Sequence, residues 1–267
     1  MLKAKNGRLR LAAGDMDYIR FGGGKRVLVM LPGVGDGLKT VRGTALPFAL
    51  MYRALAKDFT VYVFSRRVNL PGHMTTREMA EDVNEAMEKL GLASAAVVGV
   101  SQGGMIAQWL AVDHPDKVSK LVLVVTLCRP NDTIREVIGL WSDMARREDY
   151  KGIMLDTAER SYTPRRFRRA RLTYALMGNL GKPKSFERFL IQAESCLTHD
   201  AYDELGRIAC PTLVIGGTED KIVTLRGSEE LAERIPGAEL KVCEGLSHAL
   251  YEEEKDFLDQ VAAFCLK

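Results

Sequence analysis

Apolar positions along the chain fall into six short runs rich in valine, isoleucine and leucine. The runs are RVLVML (26–31), TVYVF (60–64), AAVVGV (95–100), KLVLVV (120–125), TLVIGG (212–217) and ELKVC (239–243). Near-continuous apolar strands are typical of a parallel sheet whose two faces are both covered by helices. The pattern therefore predicts a mostly parallel sheet of six strands, and the earlier segments RLRLAAG and DYIRFGG predict a short hairpin at its edge.

Segments with helical spacing lie between these runs, and the clearest is TTREMAEDVNEAMEKLG. Its apolar stripe comprises Met79, Val83, Met87 and Leu90. Thr75 or Thr76 can cap its first turn, and Gly91 follows its last turn. Because strands that alternate with helices indicate βαβ units, the predicted fold class is α/β, with helices on both faces of the sheet.

The alternation breaks between residues 129 and 207, where helical patterns follow one another without a strand pattern. These patterns are TIREVIGLWSDMARR, RFRRARLTYALMGN and SFERFLIQAESCL. Long insertions that carry their own structure are usually lids or binding elements. We therefore predict a core formed by residues 1–128 and 208–267, and a helical cap formed by residues 129–207.

Composition is ordinary for a soluble globular protein, with 46% hydrophobic and 27% charged residues among 267. A net charge of +3 is too small for a polyanion-binding surface, so no nucleic-acid partner is expected. The five cysteines show no C-x-x-C spacing, and an odd number cannot all pair within the chain. With no signal-peptide pattern and no apolar stretch of ~18 residues, we expect a cytoplasmic protein without a membrane span. The oligomeric state is left open.

The segment VVGVSQGGMIAQWLA (97–111) changes from a strand pattern to a helical one at a serine. Gly99 to Gly103 match G-x-S-x-G, the nucleophile elbow, in which glycines leave room for a sharp turn between strand and helix. The helix that begins beyond Ser101 favours negative charge on an attacked carbonyl oxygen. Ser101 is therefore the candidate nucleophile.

A serine hydroxyl is a weak nucleophile and needs a neighbouring base. The chain has four histidines. His114 precedes a proline in a predicted helix-to-strand turn, and His199 is expected to be exposed at the edge of the insertion. For His73, in a loop after the second parallel strand, a structural role is favoured, with a place in the lining of the site as the alternative. His248, in CEGLSHALYEE after the last strand, can reach across the strand ends to Ser101 and is the candidate base.

Two acids, Glu219 and Asp220, follow the fifth apolar run. The order serine, acid, histidine is that of the α/β-hydrolase triad. Over nearly its full length the chain resembles the α/β-hydrolase fold family, in particular its small cap-bearing members. The resemblance implies that Ser101 is the nucleophile, His248 the base and Asp220 the acid, because GGTEDKIV matches the family's D-x-[IV]-V pattern. Some relatives carry the acid after the fourth strand, where this chain has Asp132.

The resemblance also implies an oxyanion hole made of two main-chain N–H groups. Gln102, directly after the nucleophile, supplies one, and Val34 in VMLPGVGDG supplies the other. Pro32 replaces the family's usual histidine in this loop, and Gly33 is retained. A second departure lies after the next strand, where VFSRRVNLPG stands in place of the family's Asp-x-Arg-Gly.

Pocket residues are harder to infer, since apolar residues at helical spacing commonly pack a cap onto a core. By position we expect the pocket to be lined by Gly33, Met105, Leu127 and Trp141. Further apolar candidates in the insertion are Leu140, Met144, Met154, Tyr174 and Met177. A run of arginines is interpreted as a solvated helix face, with attraction of an anionic substrate as the alternative. It comprises Arg165, Arg166, Arg168, Arg169 and Arg171.

These residues together predict a serine hydrolase that cleaves a carboxylic ester, or a related lactone, thioester or amide, through an acyl-enzyme on Ser101. The expected partner is a small, largely apolar substrate, and no metal or cofactor is expected. Alternatives are a carbon–carbon bond hydrolase or perhydrolase with the same triad, and a non-hydrolytic ligand receptor on the same scaffold. The natural substrate is left open.

Overall fold

The computed structural model describes residues 2–267, except for the side chains of residues 174–177. The strands are β1 (Lys5–Leu11), β2 (Gly14–Gly22), β3 (Arg26–Leu31), β4 (Phe59–Arg67), β5 (Ala95–Val100), β6 (Val118–Val124), β7 (Thr212–Gly217) and β8 (Glu239–Cys243). They form one sheet in the order β1-β2-β4-β3-β5-β6-β7-β8. β2 is antiparallel to β1 and β4, and the other neighbours are parallel. The predicted sheet and its edge hairpin are confirmed.

The helices are α1 (Ala45–Met51), α2 (Thr76–Lys89), α3 (Gln102–Asp113), α4 (Asp132–Arg146), α5 (Tyr150–Ser161), α6 (Pro164–Met177), α7 (Glu187–Leu197), α8 (Thr224–Arg234), α9 (Leu250–Glu253) and α10 (Phe257–Leu266). Thr75 caps α2 through a reciprocal pair of hydrogen bonds with Glu78. Gly91 follows α2 at a φ of +67°, a conformation that favours glycine at a helix end. No helix among the described residues has an apolar stretch long enough to cross a bilayer.

Both faces of the sheet are buried at its central strands, while the edge strands β1 and β8 are largely exposed. Along β3, Leu28 and Met30 belong to one core cluster, and Val29 and Leu31 belong to the other. Successive side chains of a strand point to opposite faces, so a strand with helices on both sides must be apolar at every position. This burial explains why the strands appear in the sequence as continuous apolar runs.

Helices α4 to α7 lie between β6 and β7, and we call them the helical insertion. Asn131 caps α4 by accepting a hydrogen bond from the Ile134 N–H at 2.9 Å. Val137 of α4 and Phe189 of α7 are buried in the same cluster as Met30 of the sheet. The insertion therefore shares a hydrophobic core with the sheet, while its division from the core at residues 129 and 207 stays a prediction.

His199, expected to be exposed, is buried with 1% of its surface accessible, and that expectation was wrong. Its Nδ1 lies 2.8 Å from Thr76 Oγ1, and its Nε2 lies 3.4 Å from Gln108 Oε1. Burial lowers the pKa of His199 to about 3, so the imidazole is neutral. A neutral imidazole with two polar partners can be buried between helices at little cost.

Candidate active site

Ser101 occupies the sharp turn between β5 and α3, with φ of 53° and ψ of −122°. This positive φ is a strained conformation for any residue other than glycine. Two hydrogen bonds hold the turn: the Ser101 N–H donates to Val124 O at 2.9 Å, and Thr126 Oγ1 donates to Ser101 O at 2.7 Å. The side chain of Ser101 faces a cavity at the carboxyl edge of the sheet.

Three glycines around the serine are required by close packing. A Cβ at Gly99 would lie 2.6 Å from the Gly104 Cα, and one at Gly104 would lie 2.5 Å from Thr126 Cγ2. A Cβ at Gly103 would overlap the carbonyl oxygen of Leu31. Real Cβ atoms do not approach other atoms this closely, so only glycine fits at these three positions of the folded chain.

Asp220 and His248 meet at the ends of β7 and β8. His248 Nδ1 lies 2.9 Å from Asp220 Oδ2, and Asp220 Oδ1 accepts from the N–H groups of Ile222 (2.8 Å) and Val223 (3.0 Å). Burial by itself raises the pKa of Asp220, but the charge of His248 and these hydrogen bonds outweigh it, so the pKa lies below its usual value. Asp220 is therefore an ionised acceptor that fixes the orientation of the imidazole.

Ser101 and His248 line the same cavity, although the described residues show no direct hydrogen bond between the two side chains. In unliganded sites such contacts are often long and tighten when substrate binds. The structure thus brings the predicted acid and base together and places the predicted nucleophile in the cavity that His248 lines.

The loop that carries His248 is held by α5 of the helical insertion. Ser247 Oγ donates to the carbonyl oxygen of Arg160 at 2.6 Å, and the Ala249 N–H donates to that of Ser161 at 2.9 Å. These two contacts bracket His248 on both sides. Sequence reasoning missed them, because a carbonyl acceptor at a helix end carries no side-chain signal.

The two main-chain N–H groups predicted as oxyanion donors belong to segments that adjoin Ser101. Gln102 is the first residue of α3, so its N–H has no partner within the helix. Val34 begins a 3₁₀ turn (Val34–Gly37) in which the carbonyl of Gly33 accepts from the Asp36 N–H at 3.1 Å. In a planar trans peptide the N–H points opposite to the C=O, so the Val34 N–H points out of the start of the turn.

The 3₁₀ turn lies directly beside the serine, since a Cβ at Gly33 would be 3.3 Å from the Ser101 Cβ. The start of this turn and the start of α3 therefore converge on one place. N–H groups at the start of a helix commonly bind anions.

The cavity above Ser101 has a volume of about 430 Å³, a size typical of sites for small molecules. Gly33, Val34 and Trp141 line it, together with Met154 of the helical insertion. Its wall is mostly apolar and also includes Leu38, Ile153, Phe189, Ile222 and Tyr251. The cavity therefore suits an apolar ligand with a polar group placed at Ser101.

Met105 and Leu127, expected to line the pocket, lie instead in the hydrophobic core at 0% and 1% exposure. Met105 belongs to the buried α3, and Leu127 follows β6, so both point away from the cavity wall into packed side chains. Met144 packs against the same core. Tyr174 and Met177 lie among the side chains that the structure does not describe.

The other candidate polar residues lie away from the cavity. His114 contacts Glu81 at 2.8 Å on the surface, and His73 is exposed beside Glu194. Asp132 and Glu219 are exposed, and neither is among the hydrogen-bond partners of His248.

The arginine run of α6 is largely exposed. One of its members, Arg166, pairs with Glu252 at 2.6 Å, and none of the run lines the cavity. This arrangement agrees with a solvated helix face.

Comparisons with known proteins agree with this architecture. A family model described as alpha/beta hydrolase fold matches residues 26–255. The pimeloyl-(acyl-carrier protein) methyl ester esterase of Chromobacterium violaceum is 34% identical over 229 residues, covering 80% of this chain and 87% of that protein. A Caulobacter vibrioides protein, provisionally named a carbamate hydrolase, is 28% identical over 254 residues, covering 87% of this chain and 89% of that protein.

Among solved structures, the enol-lactonase from Burkholderia xenovorans has the same fold. It is 24% identical, covers 98% of this chain and 100% of that one, and superposes with a TM-score of 0.81. Since the family model spans most of the 267 residues and the relatives are named as hydrolases, this chain is a hydrolase that belongs to the alpha/beta hydrolase fold family.

Proposed function

We propose that the protein is a serine hydrolase that cleaves a carboxylic ester, or a related lactone, thioester or amide, through an acyl-enzyme on Ser101. One observation carries the proposal: Ser101, in its strained turn, faces the same cavity as His248, whose ring is held by the ionised Asp220. The named activities of the relatives, a methyl ester esterase and an enol-lactonase among them, support the same class of reaction.

Each group has a defined task in this reaction. His248 Nε2 accepts the proton of Ser101 as the serine oxygen attacks the substrate carbonyl carbon, and the N–H groups of Val34 and Gln102 stabilise the oxyanion. The intermediate collapses, and the leaving alkoxide takes the proton from His248. A water molecule, deprotonated by the same imidazole, then attacks the acyl-enzyme and releases the carboxylic acid and Ser101.

The cavity supports a small, largely apolar substrate. Its 430 Å³ are closed on one side by Trp141, Ile153 and Met154 of α4 and α5, so the helical insertion acts as a cap that keeps bulk water from the acyl-enzyme. Five free thiols, four of them buried, fit a reducing compartment, and the proposal includes a cytoplasmic location.

The proposal is tested with short p-nitrophenyl esters and a fluorophosphonate label. Ser101→Ala is expected to lower turnover by a factor of about 10⁴ or more and to abolish labelling. Ser228→Ala, at a buried serine outside the cavity lining, is the control and should leave both unchanged. Equal rates for wild type and Ser101→Ala, or an unlabelled wild type that still binds esters, would point to the ligand-receptor alternative.

The identity of the acid is tested separately. Asp220→Asn keeps the shape of the side chain but removes the charge that stabilises the protonated imidazole, so kcat should fall by a factor of about 10⁴. Asp132→Asn, at the exposed alternative position, should leave kcat unchanged. The reverse result would reassign the acid.

A further inference from the structure

A buried arginine connects the two segments that carry the oxyanion donors. Arg66, the last residue but one of β4, is 4% exposed. Its Nη2 donates to the carbonyl oxygen of Pro32 at 2.6 Å and to Gln102 Oε1 at 2.8 Å. Pro32 and Gln102 belong to the loop of Val34 and to the start of α3, so a single guanidinium nitrogen holds both segments.

The side chain of Gln102 is held from its other end as well. Its Nε2 donates to the carbonyl oxygen of Gln192 at 2.7 Å and to Ser195 Oγ at 2.9 Å, both on α7. Ser195 Oγ in turn donates to Gln192 O at 2.8 Å. Gln102 is 0% exposed, so its side-chain amide cannot exchange these protein partners for bulk water. The first residue of α3 is thereby fixed from both sides.

The 3₁₀ turn is anchored at its far end by the same group of residues. Asp36 Oδ2 accepts from the main-chain N–H of Arg66 at 3.0 Å and also from Nη2 of Arg188 on α7. Arg188 Nη2 donates to the carbonyl oxygen of Arg66 at 3.0 Å as well. Strand β4, the 3₁₀ turn and α7 are therefore joined by charged hydrogen bonds within one buried network.

We propose that Arg66 is a positioning residue of the active site, which holds the Val34 and Gln102 N–H groups at the spacing that an oxyanion needs, with α7 completing the framework. Oxyanion stabilisation depends on donors that are in place before charge develops, and an error of about 1 Å costs about 100-fold in rate. The inference rests on the proposed function, because the spacing of these donors matters only if an oxyanion forms.

The charge on Arg66 suits this role. Burial lowers the pKa of Arg66, and the charge of Asp36 opposes the shift, so the pKa remains at about 10. The guanidinium therefore stays protonated at neutral pH, and the two N–H bonds of Nη2, fixed in its plane, donate to Pro32 and Gln102.

The test compares Arg66→Met with Arg67→Met. Arg67 is the next residue, is also buried and pairs with Asp82 at 2.7 Å, but it contacts neither Pro32 nor Gln102. Both variants lose a buried ion or ion pair and should be less stable. Per folded molecule, Arg66→Met is expected to lower kcat by about 100-fold with KM changed less than about threefold, and Arg67→Met to retain the wild-type kcat.

Inhibition by phenylboronic acid supplies a readout that stability does not affect. Its tetrahedral adduct on a serine places an oxygen where the oxyanion forms, so its affinity follows the quality of the donors. The inhibition constant should rise in parallel with the loss of kcat/KM in Arg66→Met and stay constant in Arg67→Met. Gln102→Leu, which removes the contact from the other side, should behave as Arg66→Met does and serves if that variant fails to fold.

Separate outcomes overturn the inference and the proposed function. Wild-type turnover that depends on Ser101, combined with equal kcat and boronate affinity in the folded Arg66 and Arg67 variants, or a Gln102→Leu variant with wild-type kcat, overturns the inference alone. Absence of Ser101-dependent turnover in the wild type overturns both.

Discussion

Ser101 adopts a backbone conformation with positive φ, which costs an L-residue about 1–3 kcal/mol. The packing of the neighbouring residues holds it in this conformation. The glycines at 99, 103 and 104 allow β3, β5 and α3 to pack closely together. This close packing fixes Ser101 in the turn between β5 and α3. Thr126 then closes the turn by its hydrogen bond to the serine carbonyl. At the scale of single residues, the geometry of the site therefore depends on glycines, which have no side chain, as much as on the functional side chains.

Gly103→Ala is expected to destabilise the protein by more than 3 kcal/mol or to prevent folding, because the new methyl group overlaps the Leu31 carbonyl oxygen. The matched change is Gly139→Ala in α4, where a Cβ meets no atom within 4 Å. That variant should be more stable than the wild type by about 0.5–1 kcal/mol, since alanine favours the helix. Urea unfolding measures both; similar effects of the two changes would contradict the steric account.

His199 should make the protein sensitive to mild acid. The unfolded chain binds a proton below pH 6.5, whereas the native imidazole, with its pKa of about 3, does not. Stability therefore falls as the pH drops from 6.5 towards 3, by about 1.4 kcal/mol for each pH unit. Urea unfolding between pH 4.5 and 7.5 gives the free energy of unfolding as a function of pH. Its slope should be shallower for His199→Asn than for the wild type, and should equal the wild-type slope for His73→Asn, at an exposed histidine. Equal slopes for all three proteins would exclude His199 as the cause.

At the scale of elements, helices of the insertion reach both loops that carry the proposed chemistry. The end of α5 accepts hydrogen bonds from Ser247 and Ala249, on either side of His248. Helix α7 donates from Arg188 to Asp36 of the 3₁₀ turn and binds the Gln102 side chain. The insertion therefore supports the geometry of the site in addition to forming its apolar wall.

Ser247→Ala is expected to lower kcat by about tenfold while costing about 1 kcal/mol of stability. The hydroxyl that ties the loop to Arg160 is lost, so His248 is oriented less well. Thr60→Val removes a comparable hydroxyl-to-carbonyl bond, to Gly24 at 2.8 Å, in a strand far from His248. Steady-state kinetics and thermal unfolding should show a similar loss of stability for both variants but a loss of kcat for Ser247→Ala only.

At the scale of the whole molecule, a buried ion pair joins the insertion to the 3₁₀ turn after β3, and a shared core joins it to the sheet. Asp36 has no exposed side-chain surface, and that of Arg188 is 14% exposed. A buried pair of this kind contributes little net stability compared with an apolar pair, but removing one partner leaves an uncompensated charge. The pair therefore makes docking of α7 a condition for a stable 3₁₀ turn.

Arg188→Met should destabilise the protein by about 3–5 kcal/mol, because Asp36 then remains buried without its cation. The double variant Arg188→Met with Asp36→Asn should recover part of this loss, since the stranded charge is removed. Arg146→Met, at an exposed pair with Asp143, should change stability by less than about 0.5 kcal/mol. Chemical unfolding of these three variants and the wild type checks the prediction, and a double variant no more stable than Arg188→Met would contradict it.

Local sequence patterns were sufficient for the sheet, the edge hairpin, the capped α2 and the helical nature of residues 129–207. Burial on both faces makes the central strands apolar along most of their length, and the residues of a helix cap lie within a few positions of one another, so both features can be recognised from neighbouring residues. The elbow belongs to the same class, because its glycines and its serine are contiguous. The positions of Asp220 and His248 after successive strands also followed, since strand ends of a parallel sheet share one edge.

Only the tertiary structure decided the surroundings of these residues. His199 is buried by contacts with Thr76 and Gln108, and Met105 and Leu127 face the core because of the way α3 packs on the sheet. The roles inferred for Arg66 and Arg188 depend on partners 30 to more than 150 residues away. Such pairings cost loop-closure entropy and form only when many apolar contacts are made at once, so no local pattern of residues can specify them.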